Sequence, residues 1–287
     1  MTVLEVDNLV KSFEDRGVVR RGRSARSVAV DDVSFTVGAG ESLGIVGESG
    51  SGKTTIARML VGLELQDSGT IAVNGRTLVR SQSSRARLRR AKDVQLVFQD
   101  PYSTLDPRLT PLECVEASLK VAQRGTGHDR RARAKELLAQ VGLGSREAGL
   151  RPRHLSGGQR QRVAIARALA ADPAVLVMDE PVAALDVSIQ AQILQLLDDI
   201  RRESGTAYVF ISHDLAVVRQ ITDRALVMQR GRVVEADETA KLLENPQHPY
   251  TRLLLASVPS PSWNPAEVSR LRAEMMSDMR DAEGIRT

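Results

Sequence analysis

The chain has 287 residues, of which 42% are hydrophobic and 26% are charged, and its net charge is +4. This composition excludes a disordered chain, which is poorer in apolar residues, and an integral membrane protein, which is richer in them. Aromatic residues make up only 3%, which argues against base-stacking platforms for nucleic acid. Cys114 is the single cysteine, so an internal disulfide and a multi-cysteine metal or iron–sulfur site are excluded.

Two further features bear on compartment and surface partners. The longest aliphatic run, residues 174–178, is far shorter than the about 20 residues of a membrane span, and residues 1–10 lack a secretory pattern. With a single thiol, we expect the reducing cytosol. Basic side chains form two clusters, Arg20, Arg21, Arg23 and Arg26, and Arg85, Arg87, Arg89, Arg90 and Lys92. Such clusters fit nucleic acid or anionic lipid, although a solvated loop and a solvated helix face are the simpler interpretation.

Strand-like and helix-like segments alternate in the first half of the chain. The pattern predicts strands over 3–6, 29–37, 42–46 and 93–99, a helix over 53–63 and a hairpin over 70–78 around Asn74-Gly75. Residues 111–149 are predicted to be mostly helical, and 130–141 is their clearest amphipathic stretch. The early strands and the hairpin indicate an antiparallel β portion, followed by a helical insertion.

The second half continues the alternation. We predict helices over 157–171 and 187–203, strands over 174–178 and 206–211, and a last hairpin that turns at Arg230-Gly231. Strands separated by helices favour a mostly parallel α/β core. From Ser257 onward three prolines interrupt the chain before a charged helix predicted over 266–282, which reads as an appendage.

A phosphate-binding motif carries the first chemical signal. It consists of Gly47, Glu48, Ser49, Gly50, Ser51, Gly52, Lys53 and Thr54, which match G-x-x-x-x-G-K-[ST] between a predicted strand and a predicted helix. Glycines allow successive N–H groups to point inward, and the helix N-terminus adds positive potential for a triphosphate. We expect Lys53 to reach the β- and γ-phosphates, Thr54 to bind Mg²⁺ and Thr55 to contact the α-phosphate.

Two carboxylates follow a predicted buried strand. Asp179 and Glu180 come directly after the apolar run at 174–178. Such a pair is often only a solvated strand end, but a phosphate loop earlier in the chain changes its meaning. Asp179 is then expected near Mg²⁺, and Glu180 could polarise the attacking water.

The segment Leu155-Ser156-Gly157-Gly158-Gln159 determines the family resemblance. Locally, Ser156 and Gln159 fit a capping box at a helix start, which is a sufficient structural explanation. However, LSGGQ about 100 residues after a phosphate loop and just before an acidic strand is highly specific. This ordered set resembles the ATP-binding subunit of ABC transporters over roughly residues 2–260. The resemblance implies the P-loop NTPase fold of that family, with an antiparallel β subdomain and a helical subdomain.

The resemblance implies roles for further residues. Gln99 resembles the Q-loop glutamine at a strand end, Asp186 belongs to a D-loop match, and His213 resembles the switch histidine. Phe13 is placed like the aromatic residue that stacks on adenine. ATP and Mg²⁺ are the implied cofactors. The implied catalytic residues are Glu180, His213 and Gln99. The implied Mg²⁺ ligands are Thr54, Gln99 and Asp179. The implied nucleotide contacts are Phe13, the phosphate loop, Thr55, Ser156, Gly157, Gly158, Gln159 and Asp186.

Three segments narrow the resemblance to one branch. Residues 98–108, 185–192 and 245–251 resemble the oligopeptide/dipeptide importers, and Pro101-Tyr102-Ser103 is closer to their F-type than their D-type ATPase subunit. Two departures occur: Ala183 stands where the D-loop usually has serine, and the C-terminal tail lacks the cysteine-rich stretch of many relatives. An iron–sulfur cluster in that tail is therefore not expected.

The resemblance implies an ATPase that powers uptake of peptides or similar small solutes from the cytoplasmic face of the membrane. Expected partners are a second ATPase subunit, either a D-type paralogue or a second copy, two integral membrane permeases and, indirectly, an extracytoplasmic solute-binding protein. Residues 1–256 would form the ATPase domain with a helical subdomain at about 100–170, residues 100–112 would line the permease groove, and residues 257–287 would be appended. As an importer subunit, the chain is not expected to bind nucleic acid. Two alternatives remain: a soluble ABC ATPase that acts on nucleic acid or ribosomes, and a non-hydrolysing scaffold.

Overall fold

The computed structural model describes residues 1–20, 23–79, 83–100, 104–257, 265–266 and 268–273. The first sheet is antiparallel, has the strand order β2-β1-β4-β5, and comprises β1 (Thr2–Arg20), β2 (Arg23–Gly38), β4 (Ser68–Val73) and β5 (Arg76–Thr77). The predicted hairpin is confirmed, because Asn74 and Gly75 have φ of 50° and 70°, as a tight primed turn requires. Strands β1 and β2 extend beyond the predicted ranges, because their polar ends pair with each other across several register shifts.

The second sheet is mostly parallel, as the sequence predicts. Its order is β10-β9-β3-β8-β7-β6, and only β10 runs antiparallel to its neighbour. The strands are β3 (Ser42–Val46), β6 (Val94–Val97), β7 (Val175–Asp179), β8 (Ala207–Ile211), β9 (Arg224–Gln229) and β10 (Arg232–Glu238). The prediction for β6 was wrong at its end: the strand stops at Val97, so Gln99 lies in the following loop.

Helices cover the parallel sheet and form a separate layer. They are α1 (Lys53–Val61), α2 (Ser84–Asp93), α3 (Pro111–Val121), α4 (Gly127–Gln140), α5 (Ser145–Ala148), α6 (Gly157–Leu169), α7 (Val187–Ser204), α8 (Leu215–Ile221), α9 (Thr239–Glu244) and α10 (Pro249–Ala256). The segment predicted as mostly helical over 111–149 contains α3, α4 and α5. The last three helices were not predicted, because each is too short for a helical period to emerge from the sequence.

The parallel sheet is buried on both faces, with alternate side chains in two different cores. On β7, Val175 and Val177 pack into the core shared with the antiparallel sheet, whereas Leu176 and Met178 pack into the core of the helical layer. Because side chains alternate along a strand, a continuous apolar run is what a strand covered on both faces needs. This packing fixes the position of the carboxyl ends of the strands, where the polar residues begin.

The structure corrects one of the surface expectations. Within the described ranges, no helix is long and apolar enough to cross a membrane. The interpretation of the second basic cluster as a solvated helix face is wrong for Arg90, which is 6% exposed and donates to the carbonyls of Met59 and Val79. In the first cluster, Arg21 lies outside the described residues. Most of the predicted tail helix at 266–282 also lies outside them.

Candidate functional site

One group of the predicted site residues meets at the carboxyl edge of the parallel sheet. The phosphate loop follows β3, Gln99 follows β6, Asp179 ends β7 and His213 follows β8. Because the strands are parallel, their carboxyl ends open on one crevice. A cavity of about 710 Å³ lies there, lined by Phe13, Ala29, Ser49, Gly50, Gly52, Lys53, Thr54, Thr55, Gln99, Glu180 and His213.

Glycine is required at both ends of the phosphate loop. Gly47 has φ of 150°, and a Cβ there would lie 2.3 Å from the carbonyl oxygen of Met228. Gly52 has φ of 105°, and its Cβ would lie 2.2 Å from the carbonyl oxygen of Ala29. Side chains would clash with these fixed backbone atoms, so the loop fits between β9 and β2 only as a glycine-rich segment.

The Lys53 side chain is folded into this loop. Its Nζ donates to the carbonyl oxygens of Gly47 at 2.7 Å and Glu48 at 2.8 Å, and the residue is 5% exposed. Burial lowers the pKa of Lys53, and the nearby carboxylates of Glu180, Asp179 and Glu48 partly counter that shift. The loop thus holds an ammonium group beside inward-curving backbone at the start of α1, which is a setting suited to phosphate.

A hydroxyl and a carboxylate lie together beside the loop. Thr54 Oγ1 donates to Asp179 Oδ1 at 3.3 Å, and burial raises the pKa of Asp179. Oxygen ligands of this kind suit Mg²⁺, which is normally held by one or two protein oxygens together with substrate phosphates. Among the described residues, no group of three or more His, Cys, Asp or Glu side chains could hold a metal ion. The Thr54 hydroxyl and the Asp179 carboxylate are a donor pair that fits a magnesium ion whose other ligands come from phosphate and water.

Glu180 and His213 form a pair that faces the loop. Glu180 Oε1 lies 3.0 Å from Nδ1 of His213, and the Glu180 N–H donates to the carbonyl of Ile211 on the neighbouring strand. Glu180 adopts a left-handed conformation with φ of 50°, which is costly for a residue with a side chain and is typical of functional sites. This turn directs the carboxylate into the cavity instead of continuing the pleat of β7.

Phe13 lies at the rim of the same cavity. Its side chain is 39% exposed, and Lys11 Nζ lies 5.1 Å from the centre of its ring. An exposed aromatic ring that lines the same cavity as the phosphate loop is available for stacking on a base. The structure therefore brings Phe13 and Gln99 together with the phosphate loop and the Glu180–His213 pair.

The LSGGQ segment lies elsewhere on the molecule. Ser156 Oγ accepts from the Gln159 N–H at 3.2 Å, and Gln159 Oε1 accepts from the Ser156 N–H at 2.9 Å, so the predicted capping box starts α6. None of the residues from Ser156 to Gln159 is among the described residues that line the cavity, and neither is Asp186, the exposed residue before α7. One chain alone does not bring these residues to its own phosphate loop.

Two residues near the site were missed by sequence reasoning. Ala29 lines the cavity from β2, and Tyr250 contacts the loop through a hydrogen bond from the Glu48 N–H at 3.1 Å. Ala29 carries no recognisable signal. Tyr250 lies in Asn245-Pro246-Gln247-His248-Pro249-Tyr250-Thr251, which the sequence analysis used only to place the chain within a branch.

Comparison with known families agrees with this geometry. The family model described as "ABC transporter" matches residues 30–183, and the one described as "Oligopeptide/dipeptide transporter, C-terminal region" matches residues 234–284. The chain therefore belongs to the ABC transporter family, as its motifs predict, and within it the chain is an ATP-binding cassette and an ATPase.

Named relatives lie among peptide import proteins. The chain is 43% identical to the oligopeptide transport ATP-binding protein AppF of Bacillus subtilis, over 90% of this chain and 78% of that protein. It is 46% identical to the glutathione import ATP-binding protein GsiA of Shigella flexneri over 96% of this chain, and it spans only 44% of that relative. These relatives give no support to the nucleic-acid alternative.

Solved structures share the fold. The ATP-binding cassette MJ0796, described as a dimer bound to ADP and Pi after hydrolysis, superposes with a TM-score of 0.73 at 32% identity, covering 82% of this chain and 98% of that one. CbiO1 of Clostridium perfringens gives a TM-score of 0.73 at 24% identity, covering 85% and 91%, and supports the fold alone. The predicted α/β cassette architecture is confirmed.

Proposed function

We propose that this chain is the ATP-hydrolysing subunit of an importer of peptides or similar small solutes. The observation that carries the hydrolytic part is the phosphate loop facing the Glu180–His213 pair across one cavity. The importer part rests on the oligopeptide/dipeptide transporter match at residues 234–284 and on relatives named for oligopeptide and glutathione import.

In this proposal the predicted residues in and beside the cavity share the work of binding and hydrolysing ATP. Lys53 and the N–H groups of the loop bind the β- and γ-phosphates, Thr55 contacts the α-phosphate, and Phe13 stacks on the adenine. Thr54, Asp179 and Gln99 would hold Mg²⁺, which neutralises charge on the phosphates when it is bound. Glu180 takes the proton of the attacking water, and His213, through the 3.0 Å contact, holds the Glu180 carboxylate in place.

The remaining site residues act on a second subunit. Ser156, Gly157, Gly158, Gln159 and Asp186 do not line their own cavity, and Ser156, which caps the N-terminus of α6, is exposed. Such a terminus favours an anion, so a facing cassette could offer it the γ-phosphate in a head-to-tail dimer. ATP would then join the two subunits, and hydrolysis would release them.

The dimer is proposed to work beneath two integral membrane permeases on the cytoplasmic face of the membrane, with a solute-binding protein acting indirectly. Residues 100–112 would contact the permeases. Within this range, residues 101–103 lie outside the described residues. We propose residues 1–256 as the ATPase domain, with its helical subdomain at about 100–170, and residues 257–287 as an appendage. The second ATPase is a D-type paralogue in this proposal, because Ala183 removes a hydroxyl from the D-loop and would make the two sites unequal.

Glu180→Gln tests the proposed chemistry in the assembled transporter. The amide keeps the shape of the side chain but cannot take a proton, so hydrolysis should fall about 10²- to 10⁴-fold while MgATP binding persists. Glu203→Gln, at an exposed glutamate on α7, is the matched control and should hydrolyse ATP normally. Wild-type turnover in Glu180→Gln would exclude Glu180 as the base.

Transport and stoichiometry are tested on the same complex. ATP-dependent uptake of labelled peptides into proteoliposomes should require the permeases and this chain together. Intact mass of the purified complex should show one copy of this chain and one different ATPase. Two copies of this chain would contradict the D-type partner, whereas co-purification with nucleic acid and no membrane subunit would contradict the importer.

A further inference from the structure

The C-terminal part of the chain contacts the phosphate loop directly. Tyr250, in the first turn of α10, is 2% exposed, and its hydroxyl oxygen accepts a hydrogen bond from the Glu48 N–H at 3.1 Å. Its ring packs in a hydrophobic cluster with Val46, the last residue of β3 before the loop, and with Val227 of β9. Residues 202 positions apart in the chain are therefore joined at the start of the loop.

A hydrogen-bond network fixes where Tyr250 lies. Glu235 on β10 accepts from the Gln247 N–H at 2.7 Å and from the His248 N–H at 3.0 Å, and His248 Nδ1 accepts from the Tyr250 N–H at 3.1 Å. Burial alone would raise the pKa of Glu235, but the nearby Thr251 side chain and the hydrogen bonds from the 247–248 backbone outweigh burial and lower it. The sheet thus anchors, through an ionised carboxylate, the turn that starts α10.

The contact to Glu48 acts on one particular peptide group. The Gly47 carbonyl and the Glu48 N–H belong to the same planar peptide unit. Its carbonyl accepts from Lys53 Nζ at 2.7 Å, and its N–H donates to Tyr250. The hydroxyl therefore opposes rotation of the peptide plane that receives the lysine. Gly47, with φ of 150°, provides little steric resistance to such a rotation by itself.

We propose that Tyr250 is a positioning residue for the phosphate loop, which holds the Gly47–Glu48 peptide and thereby Lys53 in the arrangement that receives the triphosphate. This inference rests on the proposed role of the loop in binding ATP. The hydrogen bond from Glu48 to Tyr250 matters most in the nucleotide-free protein, because bound phosphates would hold the loop in place themselves. A loop that is competent for only part of the time has an apparent Kd raised by the inverse of that fraction.

Tyr250→Phe removes the hydroxyl and keeps the ring. Losing one buried hydrogen bond should raise the Kd and the KM for ATP about three- to tenfold, with kcat within about twofold of wild type. Tyr208→Phe is the matched control, because that buried hydroxyl donates to the Leu197 carbonyl at 3.0 Å and Tyr208 does not line the cavity. The two variants should lose similar thermal stability, and only Tyr250→Phe should lose ATP affinity.

Glu235→Gln and hydrogen exchange keep the test decisive if Tyr250→Phe folds poorly. Glu235→Gln weakens the anchor of the 247–248 turn. This variant should also raise the KM for ATP, but by less than Tyr250→Phe does. In the nucleotide-free assembled transporter, the Glu48 amide should exchange faster in either variant than in wild type. An unchanged KM in both variants, or an equal rise in Tyr208→Phe, would overturn the inference. Failure of wild type to bind ATP would instead refute the proposed function.

Discussion

Two neighbouring glycines at the start of α6 should respond differently to the same substitution. A methyl group at Gly158 would lie 2.5 Å from Cγ2 of Ile189 on α7, whereas a methyl at Gly157 would lie 3.3 Å from Cδ2 of Leu185. The isoleucine methyl is attached at a branched Cβ, which is stiff in a helix, whereas the leucine methyl lies at the end of its side chain and can move. Gly158→Ala therefore forces α6 away from α7, and Gly157→Ala does not.

The expected magnitude follows from the contact distances. Carbon atoms pack best at about 3.5–4.0 Å, so Gly158→Ala requires a displacement of about 1 Å. Overpacking of this kind costs about 1–3 kcal/mol. Both positions lie in the first turn of α6, so the gain in helix propensity, up to about 1 kcal/mol, is common to both variants. Gly158→Ala should therefore be less stable than Gly157→Ala by about 1–3 kcal/mol.

Urea denaturation of the two alanine variants beside wild type measures this difference. The urea concentration at the midpoint of unfolding should fall for Gly158→Ala. The slope of the free energy of unfolding against urea concentration should stay unchanged, because the surface exposed on unfolding stays the same. Equal midpoints, or a lower midpoint for Gly157→Ala, would refute the close contact between α6 and Ile189. Since α6 carries the LSGGQ segment, hydrolysis by the assembled dimer should also fall in Gly158→Ala.

Three further predictions concern the site and its surroundings. Ser156→Arg should bind ATP at its own loop but lower hydrolysis by the dimer, and loss of its own binding, measured by nucleotide fluorescence, would contradict head-to-tail assembly. Phe13→Ala should weaken ATP binding by about 1–3 kcal/mol, with Phe13→Trp retaining it; equal affinities in titration calorimetry would exclude stacking. Hydrogen bonds from Thr110 lower the pKa of Glu113. The contribution of Glu113 to the stability of the folded protein is therefore complete above the ordinary glutamate pKa of about 4.3. This contribution is lost as the pH falls through the lower pKa that Glu113 has in the folded protein. Acid unfolding of Glu113→Gln should lack this component, and identical pH profiles would contradict it.

The sequence by itself determined the local features of the protein. The glycine-rich turn between β3 and α1, the capping box at Ser156 and the turn at Asn74-Gly75 were predicted correctly, because each depends on residues a few positions apart and on the φ that glycine or asparagine allows. The order of motifs also predicted the family. The buried strand at β7 was predicted to within one residue, since a strand covered on both faces is a continuous apolar run.

Only the tertiary structure decided how these pieces meet. The polar ends of β1 and β2 are strands because each supplies the other's hydrogen bonds, which no pattern within one segment reveals. The left-handed turn at Glu180 is held by the neighbouring strand through the Ile211 carbonyl and brings the carboxylate to His213, 33 residues away. The contact of Tyr250 with the phosphate loop depends on the packing of α10 against β3 and β9. Such contacts join residues far apart in the chain, so they exist only once the cores have formed and fixed the positions of the strand ends.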